Sequence, residues 1–252
     1  MEINADFKKP VALRAEETEW VASPMPGVSR RMLDRIGGEV ARATSIVRYA
    51  PGSDFPAHLH EGGEEFFVLD GIFQDEHGDY PAGTYVRNPP LSRHKPGSEP
   101  GCTIFVKLWQ FDLADRSHVR IDTNKLGAVP DAARSGVQVS PLFQDARENV
   151  RMEIWKPGAR IEIGAQGGLE LFVLAGGLEH EGRSYALHSW LRLPDGARPF
   201  EALADAHEGA RLWVKSGHLV HAAAPKPSRL NFETPEAPET ASARIVGFKK
   251  TD

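Results

Sequence analysis

With 252 residues, 40% of them hydrophobic, the chain has material for one large domain or two of average size, with a real core. A formal net charge of -5, with no broad basic stripe, argues against a nucleic-acid surface. The single cysteine, Cys102, excludes an intrachain disulfide framework and a four-cysteine zinc site, and no apolar stretch approaches the roughly 20 residues of a membrane span.

The chain opens with MEINADFKKP, which lacks the basic start and apolar run of a signal peptide. Together with the single cysteine, this predicts a cytoplasmic protein. Short apolar runs follow, separated by frequent Gly and Pro: ATSIVRYA, EEFFVLDG, GTYVRNPP, CTIFVKLWQF, VRMEIW, LELFVLAG and RLWVKS. Their length and their Val, Ile, Phe, Tyr and Trp content read as strands, so the chain is expected to be all-β, a sandwich or barrel. Helical periodicity is scarce; the two candidates are GVSRRMLDRIG near Gly27 and PFEALADAHEG near Pro199.

The chain also repeats itself. Pro51-Gly52 recurs as Pro157-Gly158, and Gly63-Glu64-Glu65-Phe66-Phe67-Val68-Leu69 recurs as Gly168-Leu169-Glu170-Leu171-Phe172-Val173-Leu174. Downstream, YVRNPP at Tyr85 is echoed by WLRLP at Trp190, and FVKLWQF at Phe105 by LWVKSGHL at Leu212. The spacing is too long for a solenoid unit and fits a duplicated domain. The divisions expected are 1–117, 118–223, and a loosely packed tail over 224–252 that is poor in apolar residues. Within that tail ARIVGF could dock as an edge strand.

The first repeat carries the chemistry. Strands alternate faces with period two, so His58 and His60 on one strand point the same way. Glu64 follows a Gly62-Gly63 turn and shares parity with Phe66 and Val68, which are expected to face the interior, with Glu65, Phe67 and Leu69 facing out. An antiparallel strand returning across the sheet could bring His94 beside the first three. Three imidazoles and a carboxylate suit Fe(II), Zn, Mn, Ni or Cu(II). Neutral imidazole keeps its donor role near neutral pH, and the carboxylate offsets part of a dication's charge. Against this stands the commoner meaning of a histidine pair, a surface strand or turn. His77, in DEHGDY, reads as a turn residue, and Cys102 as a buried small hydrophobe.

These residues resemble the cupin superfamily, whose first motif has the form G-x5-H-x-H-x3,4-E-x6-G. Gly52, His58, His60, Glu64 and Gly71 fit it at every interval. Pro81 and Gly83 resemble the turn of the second motif and His94 its histidine, although the asparagine usual a few residues later is absent. The similarity is closest to the cupin half of ChrR-type anti-sigma factors and their stand-alone relatives, over most of residues 20–115, with a weaker echo to about 220. The resemblance implies two tandem cupin barrels (a double-stranded β-helix, or jelly roll) and one divalent metal per chain held by His58, His60, Glu64 and His94. Fe(II) is favoured, Zn(II) comes next, and Ni(II) or Mn(II) would also fit. ChrR itself holds zinc; related cupins use iron in oxygenase chemistry.

Two departures shape the expected function. The helical sigma-binding domain of ChrR-type regulators, with its His and Cys cluster, has no counterpart here, so no sigma factor is expected as partner. In the second repeat, aligned from Gly158, the histidine positions hold Gly164 and Gln166 and the Glu64 position Glu170; on the preferred alignment, set by the GGLELFVL string, they hold Ile163, Ala165 and Leu169, and the His94 position falls near Arg198. That barrel is expected to close over an apolar core. The leading expectation is an Fe(II) dioxygenase acting on a small enolisable ketone or phenol, as in the β-diketone- and hydroxyacetophenone-cleaving cupins. The rival is a zinc-binding sensory module, and site openness discriminates the two. Arg48, Tyr85 and Arg87 are candidate wall residues, an arginine there being able to hold a carboxylate or enolate. The expected partner is a small molecule, with no nucleic acid and no membrane. The resemblance also suggests a homodimer, unless the double barrel already satisfies that edge pairing.

Overall fold

A computed structural model describes residues 1–38 and 40–226. The expected tail, including ARIVGF, lies outside the described residues apart from 224–226. Among the described residues the helical turns are two short 3-10 segments, Ala15–Glu17 and His218–His221, and no helix is long and apolar enough to cross a membrane.

In chain order the strands that build the first half are β1 (Val11–Leu13), β2 (Val28–Gly37), β3 (Ala41–Tyr49), β4 (His58–His60), β5 (Glu64–Asp75), β6 (Thr84–Asn88), β7 (Ser92–His94), β8 (Cys102–Leu108) and β9 (Val119–Asp122). The second half follows with β10 (Val137–Gln144), β11 (Asn149–Trp155), β12 (Arg160–Ala165), β13 (Leu169–Gly176), β14 (Leu178–His180), β15 (Trp190–Leu193), β16 (Ala197–Ala204) and β17 (Ala210–Ser216). One large sheet runs β2-β3-β8-β5-β6-β9; its counterpart runs β10-β11-β17-β13-β15-β1. The order is the same in both, as duplication requires, and the pairing is antiparallel throughout. Smaller strand pairs, β4 with β7 in the first half and β12, β14 and β16 in the second, make the opposite wall of each barrel. This is the two-barrel jelly roll expected from the sequence.

The outer strands change places. β1 precedes the first repeat but pairs with β15 of the second, and β9 precedes the second repeat but pairs with β6 of the first. Each repeat's leading strand therefore completes the other's sheet, and chain connections cross the expected 117/118 division in both directions.

Both helix candidates are strands. GVSRRMLDRIG forms β2, whose register slips between Met32 and Asp34, so a bulge breaks the period-two pattern that would have marked it. PFEALADAHEG contributes to β16, where Phe200, Ala202 and Ala204 are buried in alternation.

Three apolar clusters result. Phe66, Val68, Phe73, Val86, Ile104 and Val106 fill the first barrel, and Ile161, Ile163, Leu169, Leu171 and Phe200 belong to the core of the second. The third cluster lies between the large sheets, where Phe67, Tyr85 and Phe105 meet Phe172, Trp190 and Trp213. Phe105 stacks on Phe172 with centroids 4.3 Å apart. The expected parity of β5 is therefore correct: Glu64, Phe66 and Val68 face in, while Glu65 and Phe67 face the other barrel.

Candidate metal centre

The three histidines meet because β4 and β7 pair in a register that sets His94 opposite His58, with His60 two residues on along the same face. The ring centroids stand 4.7 Å (His58–His60), 5.3 Å (His58–His94) and 4.7 Å (His60–His94) apart. One ligand nitrogen from each lies within 4.8 Å of the others. His60 and His94 are buried, and His58 is exposed at the mouth.

Glu64 reaches the same point from β5. The chain turns at Gly62 and Gly63 to begin that strand. Gly63 has φ +76°, and a Cβ there would lie 2.6 Å from the Phe111 ring; at Gly62 it would lie 2.2 Å from Trp109. Only glycine fits both the conformation and the close approach. Glu64 Oε2 then stands 3.4 Å from His60 Nε2 and 3.4 Å from His94 Nε2, and accepts a 3.1 Å hydrogen bond from Asn88 Nδ2.

His60, His94 and Glu64 stand at separations that suit ligands of one divalent ion, and a nitrogen of His58 lies within 4.8 Å of those of the other two histidines. Ligand atoms about 2.0–2.2 Å from one ion stand roughly 3.0–3.5 Å apart at tetrahedral or octahedral angles. The His60 Nε2 to His94 Nε2 separation is 2.9 Å, and both Glu64 separations are 3.4 Å. The outer nitrogens are also partnered. His94 Nδ1 lies 3.1 Å from Asp75 Oδ2, and His58 Nδ1 lies 3.0 Å from the Pro56 carbonyl. Carboxylate and carbonyl oxygens only accept, so each Nδ1 carries the proton and each Nε2 offers a lone pair, the arrangement that orients metal-bound imidazoles.

The electrostatics point the same way. Burial pushes His60 down to about 4, against the pull of Glu64, so its imidazole is neutral and able to donate. Burial also opposes charge on His94, but Asp75 and Glu64 more than offset it and raise its pKa. Burial alone would raise Glu64, yet His60, His94 and the Asn88 amide hold it below the ordinary carboxylate range. Glu64 is thus held as a carboxylate beside the two buried ring nitrogens.

A cavity of about 990 Å³ opens beside the histidines. Val47, Tyr49, Ile104, Val106, Leu108 and Trp109 are the apolar part of its lining, which also includes Arg30 and Arg35.

Of the seven candidate residues, the structure brings His58, His60, Glu64 and His94 together and sets the other three elsewhere. Tyr85 and Arg87 do share parity, as expected, but theirs is the outward face of β6; Val86 and Asn88 face the cavity side. Tyr85 donates a 2.5 Å hydrogen bond to Glu65. Arg87 pairs with Glu148 and, at 2.7 Å, with Asp115, its guanidinium 3.6 Å from the Phe143 ring centroid. Both belong to the seam between barrels. Arg48 lies over Trp20, 4.0 Å from the ring centroid, in a separate cleft. Cys102 is buried in the first-barrel core, and burial pushes its thiol up to about 11, as suits an inert small hydrophobe.

Sequence reasoning missed Asp75 and Asn88. Asn88 was within reach, since it faces Glu64 across the β5–β6 register. Asp75 was not. Strand β5 slips register at Leu69, so the residues beyond it reverse their faces, and Phe73 and Asp75 turn inward against simple alternation.

In the second barrel the equivalent points are apolar. Ile163 pairs with Phe200 as His58 pairs with His94, and Leu169 stands opposite Leu193 as Glu64 stands opposite Asn88. Phe200, two residues beyond the expected Arg198, takes the place of His94.

The fold is that of the cupin jelly roll. Residues 8–112, a little under half of the chain, match the family model of the ChrR cupin-like domain. Among curated proteins there is no significant match in sequence. Solved structures with the same fold include a "putative dioxygenase" from Nostoc punctiforme, with TM-score 0.69, 16% identity and 88% of each chain covered. Another is the bacterial pirin YhhW from Escherichia coli in complex with nickel(II), with TM-score 0.60, 13% identity, and 82% of this chain and 98% of that one covered. A mutant of Bacillus subtilis oxalate decarboxylase matches with TM-score 0.55 and 11% identity, over 82% of this chain and 77% of that one. At these identities the likeness is one of fold.

Proposed function

We propose that the protein is a mononuclear metal-dependent cupin enzyme, an Fe(II) dioxygenase acting on a small enolisable ketone or phenol. The observation that carries this reading is the open cavity of about 990 Å³ beside the converging His58, His60 and His94. A purely structural or sensory zinc site would be expected to have a closed shell under packed apolar walls.

His58, His60 and His94 are the proposed ligands, with Glu64 as a fourth. When bound, the metal supplies a Lewis-acidic, redox-active centre for O2 and for an enolate or phenolate substrate. The chain's own residues do the rest. Asp75 fixes the His94 ring through Nδ1, and the Pro56 carbonyl fixes His58 in the same way. Asn88 steadies Glu64. Val47, Ile104, Val106 and Leu108 offer a dry surface for the apolar body of a substrate. The buried thiol of Cys102 is compatible with a reducing cytoplasm.

The test is oxygen uptake by protein reconstituted anaerobically with Fe(II), screened with acetylacetone, its homologues and 4-hydroxyacetophenone. Uptake that depends on substrate and disappears in His60→Ala supports the reading. A tightly retained zinc with no uptake on any compound overturns it in favour of a sensory module.

A further inference from the structure

The cavity wall facing the histidines carries two arginines. The sheet registers place them. Arg30 of β2 heads a cross-strand row that continues through Val47, Ile104 and Val68. Arg35 heads another, through Ala43 and Leu108 to Glu64 itself. Directly opposed residues share a face, and Val47, Ile104, Leu108 and Glu64 all line the cavity, as do both arginines. The bulge between Met32 and Asp34 makes this possible. It turns Leu33 and Asp34 to the seam between barrels and returns Arg35 to the inside, five residues after Arg30.

Neither guanidinium has a carboxylate within ion-pair distance among the described residues, whereas the buried Arg42, Arg87 and Arg192 each have one; Arg35 Nη2 donates to the Gly38 carbonyl instead. Arg30 Nε is fully buried without a hydrogen-bond partner, as are Arg87 Nε and Arg192 Nε, whose guanidinia are nonetheless held by carboxylates. The two charges also feel each other: burial, and then Arg30, hold the Arg35 guanidinium below its ordinary value. Two like charges on one wall, one with a buried donor unmet, cost free energy unless an anion joins them. Among the described residues, Glu64 is engaged with the histidines, Glu76 accepts from the Lys95 backbone, and Glu61, next to His60 in the chain, makes no ion pair with either arginine.

We infer that Arg30 and Arg35 form an anion-recognition wall in the first barrel, and that the molecule taken there carries a carboxylate at the end remote from the metal. This rests on the proposed reading of the cavity as a substrate site. Arg35 lies three strands from Glu64 along one row, about 14 Å between backbones at the usual strand spacing. Once both side chains reach inward, the gap suits an aromatic or short aliphatic body with its metal-seeking oxygen at one end and its carboxylate at the other. A guanidinium holds such a carboxylate through two parallel hydrogen bonds. Arg30 and Arg35 thus take the role expected from the sequence of Arg48 and Arg87.

Isothermal titration calorimetry with 4-hydroxyphenylacetate and 4-methylphenol tests this. The two share the phenol and differ in the remote carboxylate. Wild-type protein is expected to bind the acid at least tenfold more tightly than the neutral phenol. Arg30→Gln should bring the two within about twofold, with Arg30→Lys intermediate and metal content unchanged in both variants. Absence of any preference for the acid in the wild type, or the same preference in Arg30→Gln, would overturn the inference. Calorimetry on metal-free protein separates the two claims: a chain that takes up no metal defeats the enzyme reading, while an Arg30-dependent preference for the acid still supports the arginine wall.

Discussion

The ammonium of Lys107, in the first barrel, lies 2.6 Å from the carboxylate of Glu170 in the second. The relation is reciprocated: Lys215 of the second barrel lies 2.7 Å from Glu65 of the first. Each carboxylate has an aromatic donor on the neighbouring strand, Tyr85 Oη for Glu65 and Trp190 Nε1 for Glu170. The duplicated sequence has thus become a near-twofold seam, in which each repeat supplies the cation for the other's anion. All four charges are buried, so either partner left alone is strongly disfavoured. Lys107→Met is expected to destabilise the protein by about 3–5 kcal/mol in urea unfolding. Lys107→Met combined with Glu170→Leu should regain part of that loss. A double variant no more stable than Lys107→Met would show that the loss comes from packing rather than from the stranded charge.

The same seam sets the response to acid. Burial would raise Glu65 and Glu170, but Lys215 and Arg87 in the first case, and Lys107 and His218 in the second, more than offset it and hold both below 4.5. The folded state therefore gives up these protons more readily than the unfolded state. Their contribution is complete above about 4.5 and is lost as pH falls through the lower folded values. His218 acts earlier, since burial pushes it from 6.5 to about 4 despite Glu170. The melting temperature should decline from about pH 6.5 downward and more steeply below 4.5. His218→Gln should flatten the upper part of that decline. A melting temperature unchanged between pH 6.5 and 4 would contradict this.

Asp75 touches no candidate ligand atom, yet it fixes the ring of His94 and is itself held by Tyr80 Oη at 3.0 Å. Asp75→Ala leaves the proposed ligands in place. It is expected to lower metal affinity by about 10–100-fold, the usual effect of losing an orienting partner. Competition against a chromophoric chelator measures this directly, and an unchanged affinity would remove Asp75 from the site.

Gly63 and Gly52 have nearly the same backbone, φ +76° and +75°, in different surroundings. A Cβ at Gly63 meets the Phe111 ring at 2.6 Å, whereas one at Gly52 meets nothing within 4 Å. Gly52→Ala should therefore show only the backbone cost of about 1 kcal/mol. Gly63→Ala should lose more stability and also metal, because this residue joins His60 to Glu64. Equal losses from the two substitutions would show that the approach of Phe111 does not matter.

Much of this was legible in the chain. The recurrence of Glu65 as Glu170, within a repeated apolar string, gave the duplication and the correct alignment of the two barrels. The spacing of His58, His60 and Glu64, through its resemblance to the cupin motif, pointed to a site with His94, and the three histidines do meet. The failures share a physical cause: period-two reasoning does not see bulges or which barrel a face meets. A slip at Leu69 hid Asp75, and a slip near Leu33 hid Arg35 and made β2 look helical. Tyr85 and Arg87 had the right parity, but nothing in a single strand shows that its outward face is buried against a second sheet. The exchange of β1 and β9 is equally silent in the sequence, since it depends on which sheet edge each strand reaches.

The most direct measurement is the metal content of protein purified without oxygen and without a histidine tag, beside the same preparation of His94→Ala. The account predicts about one iron per chain in the wild type and its loss in the variant. No bound metal in the wild type, or full retention in His94→Ala, would contradict it.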